Sequence, residues 1–418
     1  MRVWGAEAVE AAQSELRIAP GDLVTPLARE RAADLGVKIV TGGSGGPGRL
    51  RLPGAARSSG GARPLGAKPQ SAINVSGPVP DQAVSGALYR RGAPASRSRS
   101  AAGGRAATGG RVMVVGAGHV GMITAARLAE ADVFGEIVLV DVVEGLAAGI
   151  ALDLTHTAGL SGFRTRITGM VTVEDAGPAD YVVITAGRAR QPGMSRSDLV
   201  AVNAAIVGDI AARVAEVAPA AVLVVVTNPL DEMTQHAWRA SGLPPARVIG
   251  MAGVLDTARF RALAAQAAGL RPGQVQAVAL GSHGDEMVIP LSQASAAGRP
   301  LTEVLGETAV TAIVTRARDS GAEVVSLLKQ GSAFMAPGAS AARMVLAMAA
   351  DSGETLPAAV LADGSYGIEG VYVGLPARLG RGGVREIVEL ALTPGEVAEL
   401  RQAADRIKER LGVLAAAS

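Results

Sequence analysis

From Arg111 onward the chain alternates short apolar runs with segments of helical period. "RVMVV" (111–115), "EIVLV" (136–140), "YVVIT" (181–185) and "AVLVVVT" (221–227) are almost wholly apolar over the length of a strand. "VGMITAARLAEAD" (120–132) between the first two has the spacing of a helix. Near-continuous apolar strands alternating with helices predict a parallel sheet covered on both faces. After about residue 254 the pattern shifts to helices and alternating segments. It ends in a predicted long helix near "TPGEVAELRQAADRIKERLG" (393–412), with Thr393 as N-cap and Pro394 at the first helical position. The predicted fold class is α/β: a parallel-sheet domain over 111–254, then an α+β domain over 255–414.

The first 110 residues follow different rules. Residues 1–42 predict a small ordered unit, with Thr25 as a helix N-cap, Pro26 at the first helical position, an amphipathic turn-rich helix, then Gly36 and "VKIV" (37–40) as a short strand. About forty residues rarely sustain a core alone, so self-association, docking on a partner or only marginal folding is expected. Residues 43–110 are Gly, Ser, Pro, Ala and Arg with almost no apolar pattern, the composition of a flexible linker. This stretch carries ten Arg or Lys and one acid, Asp81. Such a charge suits either a solvated tether or attachment to an anionic surface. Within it "INVSGPVPDQAVSGALYRR" (73–91) is more apolar and is a candidate docking peptide.

Composition narrows the chemistry. Aromatic residues make up only 2% of the 418, so the cores rest on Ala, Val, Leu and Ile. There is no cysteine, which removes disulfide frameworks and thiolate zinc sites; no metal site is expected. The amino end has no apolar block of signal-peptide length, and the apolar runs fall far short of the ~20 residues of a membrane helix. No membrane association and a cytoplasmic location are expected. The net charge of +2 points to no partner by itself.

"VMVVGAGHVG" places G-x-G-x-x-G at Gly116, Gly118 and Gly121, after a strand and at the opening of a helix. That context reads as a Rossmann dinucleotide site. Gly116 makes the tight turn, Gly118 lets a pyrophosphate approach the backbone, and Gly121 lets helix and strand pack closely. Asp141 ends the next strand, 25 positions after Gly116. A carboxylate there accepts both ribose hydroxyls of NAD and repels the 2′-phosphate of NADP.

The sequence has four histidines. His119 lies in the glycine loop and His236 on a predicted helix, both read as structural or exposed. His156 has no partner visible in sequence. His283 differs, because "ALGSHGDEMVIP" sets it beside glycines after an apolar strand, where a side chain can project into a cleft. In "GVLDTARF" Asp256 and Arg259 are three apart, on one helical face. Oxidising an alcohol requires a base for the hydroxyl proton while hydride leaves to a nicotinamide; a histidine oriented by an aspartate suits that task.

Together these stretches resemble the lactate/malate dehydrogenase family, and within it the lactate-dehydrogenase-like malate dehydrogenases. The resemblance runs from about 111 to 414 through "GAGHVG", "VDVVEGLAAGIALDL", "ITAGRARQPGMSRSDLVAVNAAIV", "VTNPLD", "GMAGVLDTARFR", "GSHGDEMVIP" and "GVYVGLPARLGRGGVREIVEL", in the family's order. It implies His283 as proton donor and acceptor with Asp256 orienting it. It implies Arg259 as the grip on the substrate carboxylate and Arg196 as the group polarising the carbonyl. Arg190 stands at the specificity position, where arginine goes with malate and glutamine with lactate. Asn228 resembles a substrate hydrogen-bond donor beside the cofactor. Asn203, Val226 and Thr227 resemble positions on the nicotinamide side, and Gly116, Ala117, Gly118, His119, Val120 and Gly121 the phosphate loop. NAD as cofactor, malate and oxaloacetate as substrates, and a homo-oligomer (dimer or tetramer) are implied. Arg188 matches no role and is expected to be exposed.

Three positions depart from the family pattern: Gln191 where lysine is common, His119 where asparagine is usual, and Glu286 where a neutral residue is common. The family does not normally carry anything like residues 1–110. "LVTPLARERAADLGVKIV" (23–40) resembles short segments at the ends of bacterial microcompartment enzymes, which implies a protein partner for this region.

Overall fold

The apolar runs are strands whose side chains are buried on both faces, so the sheet has to be covered twice. The computed structural model describes residues 3–4, 8–9, 12, 14–19, 22–24, 31–32, 35–41, 110–188, 196–284, 286–329 and 331–417, with the side chains of 3, 23, 196, 197 and 413–417 excepted. The linker expected over 43–110, its 73–91 segment and the Thr25 cap lie outside these residues, apart from Gly110. The chain divides into two units, Met1–Ser96 and Arg97–Ser418.

In the smaller unit Val3–Trp4 pairs in parallel with Leu23–Val24, and Glu15–Ile18 with Lys38–Thr41. Among its described residues Val9, Leu16, Ala32 and Val37 are buried together. Gly36 sits at φ +67° directly before Val37, between the predicted helix and the strand. The strand is Lys38–Thr41, one residue later than "VKIV".

Numbering the elements of the larger unit alone, its first half is β1 (Arg111–Val115), α1 (His119–Ala131), β2 (Glu136–Val140), α2 (Leu146–Ser161), β3 (Arg166–Met170), α3 (Val173–Ala176), β4 (Tyr181–Ile184), α4 (Arg196–Val217), β5 (Val222–Val225), α5 (Leu230–Ser241) and β6 (Val248–Gly250). These six strands are parallel, in the order β6-β5-β4-β1-β2-β3. β4 and β5 are buried at every residue, as strands inside a doubly covered sheet must be. The strand order reverses between β1 and β4, and in open α/β sheets ligands bind in the crevice beyond the strand ends at such a point.

The second half holds α6 (Gly253–Ala268), β7 (Val275–Gln276), β8 (Leu280–Gly281), β9 (Met287–Val288), β10 (Ser295–Ala296), β11 (Arg299–Pro300), α7 (Leu301–Leu305), α8 (Glu307–Leu328), α9 (Met335–Ala350), β12 (Thr355–Asp363), β13 (Glu369–Gly380), β14 (Gly383–Ile387) and α10 (Pro394–Ala417). The long β12–β13 hairpin joins the first half's sheet: β12 pairs antiparallel with β6 at Gly250 and Ala359. Among the described residues eleven strands thus form one sheet. α9 lies against α1, so close that a Cβ on Gly338 would stand 2.7 Å from Ile123 Cβ. The terminal helix begins as its sequence predicts. Thr393 Oγ1 accepts from Glu396 N (3.3 Å) and Glu396 Oε2 accepts from Thr393 N (2.8 Å), a reciprocal capping box.

Candidate active site

The glycine loop leaves β1 at the strand-order reversal. Gly116 has φ +101°, and a Cβ there would stand 2.6 Å from Ala186 N. At Gly121 a Cβ would lie 1.9 Å from the Gly116 carbonyl oxygen, so the helix cannot sit this close to the turn with any side chain. A Cβ on Gly118 would meet no described residue within 4 Å, so this side of the loop is open to a ligand at the start of α1. Asp141 follows β2. Its Oδ2 accepts from Ala117 N (2.8 Å) and its Oδ1 from Val143 N (3.0 Å). Each carboxylate oxygen retains a further lone pair. Gly116, Gly118, Asp141, Thr185 and Gly187 line one cleft. These residues fit a dinucleotide: a tight turn, an open backbone at a helix amino terminus and a fixed carboxylate.

His119 is the first residue of α1; it is exposed, with its ring 4.9 Å from that of Phe334. Val120 is half-buried and Ala117 fully buried. Asn203, buried on α4, works on backbone. Its Oδ1 accepts from Arg188 N (2.7 Å), and its Nδ2 donates to the carbonyls of Arg188 (3.2 Å) and Asn228 (2.7 Å). It straps the chain beyond β4 to the chain beyond β5. Thr227, also buried, donates from Oγ1 to the Ala186 carbonyl (2.6 Å) and tightens the same junction.

The second cleft is lined by Val226, Asn228, Arg259, His283, Ser332 and Pro337 among others. His283 follows β8, and its Nδ1 lies 2.8 Å from Asp256 Oδ2. Asp256 Oδ1 accepts from Arg259 Nη1 at 3.3 Å, the three-residue spacing on α6 that the sequence suggested. Asp256 is buried, and both partners are themselves nearly so. Burial opposes charging of the His283 imidazole. The charge and hydrogen bond of Asp256, with the charge of Asp231, outweigh it and hold its pKa above the ordinary histidine value.

Arg190 and Gln191 lie outside the described residues; Arg196 opens α4, its side chain likewise outside them. Arg188 is exposed, as expected. His156 is exposed on α2. His236 is half-buried on α5, and burial lowers its pKa. Asp231 and Ser282 also belong to the His283 site, though no motif in the sequence marks them. Ser282 Oγ donates to Asp231 Oδ2 (2.7 Å), and His283 N donates to the same oxygen (3.0 Å). The available signal was an acidic pair, Asp231 and Glu232, directly after "NPL" at a helix start. Glu286, the departure flagged above, is paired with Arg410.

Two family matches cover the larger unit. Residues 110–250 match the lactate/malate dehydrogenase NAD binding domain, and 253–416 the family's alpha/beta C-terminal domain. A malate dehydrogenase of Pelodictyon phaeoclathratiforme is 44% identical over 304 residues, which span 73% of this chain and 98% of that protein. The solved malate dehydrogenase of Salinibacter ruber superposes with a TM-score of 0.70 at 39% identity, over 73% of this chain and 97% of that one. A solved lactate dehydrogenase of Cryptosporidium parvum has a TM-score of 0.70 at 35% identity, over 73% and 97%. The chain belongs to the lactate/malate dehydrogenase family.

Proposed function

We propose that this chain catalyses the reversible NAD-dependent oxidation of (S)-malate to oxaloacetate. The observation that carries the reading is the His283–Asp256–Arg259 set, joined at 2.8 and 3.3 Å in a cleft that also holds Asn228. Asp256 occupies Nδ1 of His283, so Nε2 is the atom free to exchange a proton with substrate. During malate oxidation Nε2 takes the hydroxyl proton, and Asp256 stabilises the resulting imidazolium. In the reverse direction Nε2 returns that proton to the carbonyl oxygen. Arg259 grips the carboxylate beside the reacting carbon and Asn228 donates a hydrogen bond to substrate. Arg196 meets the oxygen on which charge develops. Arg190 pairs with the distal carboxylate. Gly116 to Gly121, Asp141, Val226 and Thr227 hold the cofactor, while Asn203 holds the backbone around it. When bound, NAD supplies the hydride acceptor. The working domains on this reading are 111–254 and 255–414. A homo-oligomer in the cytoplasm, serving the tricarboxylic acid cycle, is the setting that goes with it; no described helix is long and apolar enough to cross a membrane. The test is a panel of oxaloacetate, pyruvate and other 2-oxo acids with NADH. A preference for pyruvate overturns the reading in favour of a lactate-type enzyme, the alternative that Cryptosporidium parvum lactate dehydrogenase, a structural neighbour, keeps in view.

NADH is expected to be preferred over NADPH. The Asp141 carboxylate is fixed by two backbone donors and cannot swing aside without losing both. A 2′-phosphate against it is a like-charge contact costing on the order of several kcal/mol. Steady-state kinetics with both cofactors check this, and equal efficiency refutes it.

A second reading concerns the region before residue 110, where the family match begins. On it, residues 1–42 dock a protein partner through a basic tether and set where the enzyme sits. Deleting residues 1–108 is then expected to leave turnover intact while assembly or cellular position changes. Loss of most turnover shows instead that the appendage completes the site.

A further inference from the structure

Asp256 holds one side of His283. The other side is held by charges that the proposed reaction does not use. Arg410, on the terminal helix α10, ion-pairs through Nε with Glu232 of α5 and through Nη1 with Glu286 (2.6 Å), and Nη2 donates to Ser282 Oγ (3.1 Å). Ser282 Oγ and His283 N both donate to Asp231 Oδ2. One guanidinium thus ties the residue before His283, a residue three positions after it, and the helix behind it. A planar fork with five donors can serve three acceptors at once, which an ammonium cannot match in geometry.

The cluster's charge is unusual. Glu232 and Glu286 pair with Arg410 directly and Asp231 is reached through Ser282, with Arg406 at 3.6 Å from Glu286 as a more exposed second cation. Asp231 is 1% exposed, and its Oδ1 has no hydrogen-bond partner among the described residues. Burial, with the Glu232 charge adding to it, pushes the Asp231 carboxyl up to about 6. From α6, Asp256 and Arg259 face the same imidazole; from α8, Arg318 Nε donates to the Met287 carbonyl (3.0 Å) just beyond the loop. Buried carboxylates that lose their counter-charge are costly, so Arg410 is where this arrangement is held together.

We infer that Arg410 is a positioning residue for the proton-carrying histidine: the terminal helix reaches behind the His283 loop and, through Ser282, Asp231 and Glu286, sets where the imidazole stands. The inference rests on His283 being the proton carrier. Removing the cation has two consequences. The loop loses its ties, which misplaces Nε2, and misplacement of this kind costs roughly 10- to 100-fold in turnover. The Asp231 charge, which favours the protonated imidazole, loses the cation tied to it through Ser282, so His283 holds its proton more tightly.

The experiment uses full-length protein carrying Arg410→Met, Arg410→Lys or Glu286→Gln, assayed with oxaloacetate and NADH across pH. Arg410→Met is expected to lower kcat roughly 10- to 100-fold with little change in either KM. Its alkaline limb should move to higher pH. Arg410→Lys should recover part of kcat. Glu286→Gln, at a half-buried position, should give a smaller loss with the same kcat-against-KM split, and it carries the test if Arg410→Met does not fold. An activity-independent arm follows the His283 imidazole by NMR titration, assigned by the signal lost in His283→Asn; its pKa should rise in Arg410→Met. Wild-type kcat and an unmoved His283 titration in folded Arg410→Met overturn the inference. So does a loss that only tracks the unfolded fraction. If the wild type itself does not reduce oxaloacetate, the functional reading fails, while the titration still decides the role of Arg410.

Discussion

Replacing Arg190 with glutamine is expected to move the enzyme from oxaloacetate toward pyruvate. Arg190 is assigned by its place in "TAGRARQPGMSRSDL" rather than by geometry, so this substitution tests the assignment directly. Glutamine keeps polar reach but loses the charge and the bidentate fork. Oxaloacetate then buries its second carboxylate without a counter-charge, at a cost of roughly 2–5 kcal/mol. At about 1.4 kcal/mol per tenfold, catalytic efficiency falls roughly 30- to several-thousand-fold. Pyruvate has a methyl group in that place and should improve, because an unpaired cation no longer lines its pocket. Arg196→Gln is the contrast: it should depress turnover for both substrates, since the developing oxyanion is common to them. Equal losses on both substrates in Arg190→Gln remove Arg190 as the specificity residue and leave the malate reading to rest on the similarity to malate dehydrogenases.

Asp256→Asn should be strongly damaging although it leaves the proton carrier His283 in place. The carboxylate accepts from Nδ1 of His283 and carries the charge that favours the imidazolium. Asparagine removes the charge, and its amide can donate to Nδ1 and so select the wrong tautomer. General acid–base catalysis contributes roughly 10²- to 10⁴-fold, and most of that should disappear from kcat in both directions. The pH profile carries the sign. Without Asp256, burial dominates and the His283 pKa falls. The alkaline limb of oxaloacetate reduction, which needs a protonated histidine, should move to lower pH. So should the acid limb of malate oxidation, which needs a neutral one.

Stability gives an independent check. A histidine whose pKa is raised on folding contributes fully below its unfolded value of about 6.5, and that contribution is lost as pH rises through the folded value. Asp256→Asn should therefore lower the thermal midpoint more at pH 6 than at pH 9. Unmoved limbs with near-normal turnover would show that His283 works without this partner.

The local parts of this site were legible because their physics is local. A glycine at φ +101°, one facing open space and one pressed against a carbonyl leave a three-glycine spacing that can be read directly. Asp256 and Arg259 are three apart on a helix, so their contact follows from helical geometry. Runs such as "YVVI" announce strands buried on both faces, because no polar side chain breaks them. Thr393 before Pro394 announces the start of the terminal helix, where Thr393 caps Glu396 N.

Tertiary structure decided what those parts meet. Hydrophobic period reports that a residue is buried, not against what. The pairing of Gly250 with Ala359 turns two predicted domains into one continuous sheet, and nothing near either residue marks it. His283 reaches Asp256 across 27 residues, and the family resemblance, not spacing, supplied that pair. Glu286 reads in sequence as an odd charge three residues past His283. Only the packing of α10 over α5 brings it Arg410, 124 residues away, and sets the same guanidinium against Glu232, 178 residues away. Asn203 shows the same limit. Its position could be matched to a cofactor site, but that its amide binds the backbones of Arg188 and Asn228 depends on how α4 lies across the ends of β4 and β5. Such contacts join segments whose proximity is set by the packing of the whole sheet and its helices, so no local pattern along the chain records them.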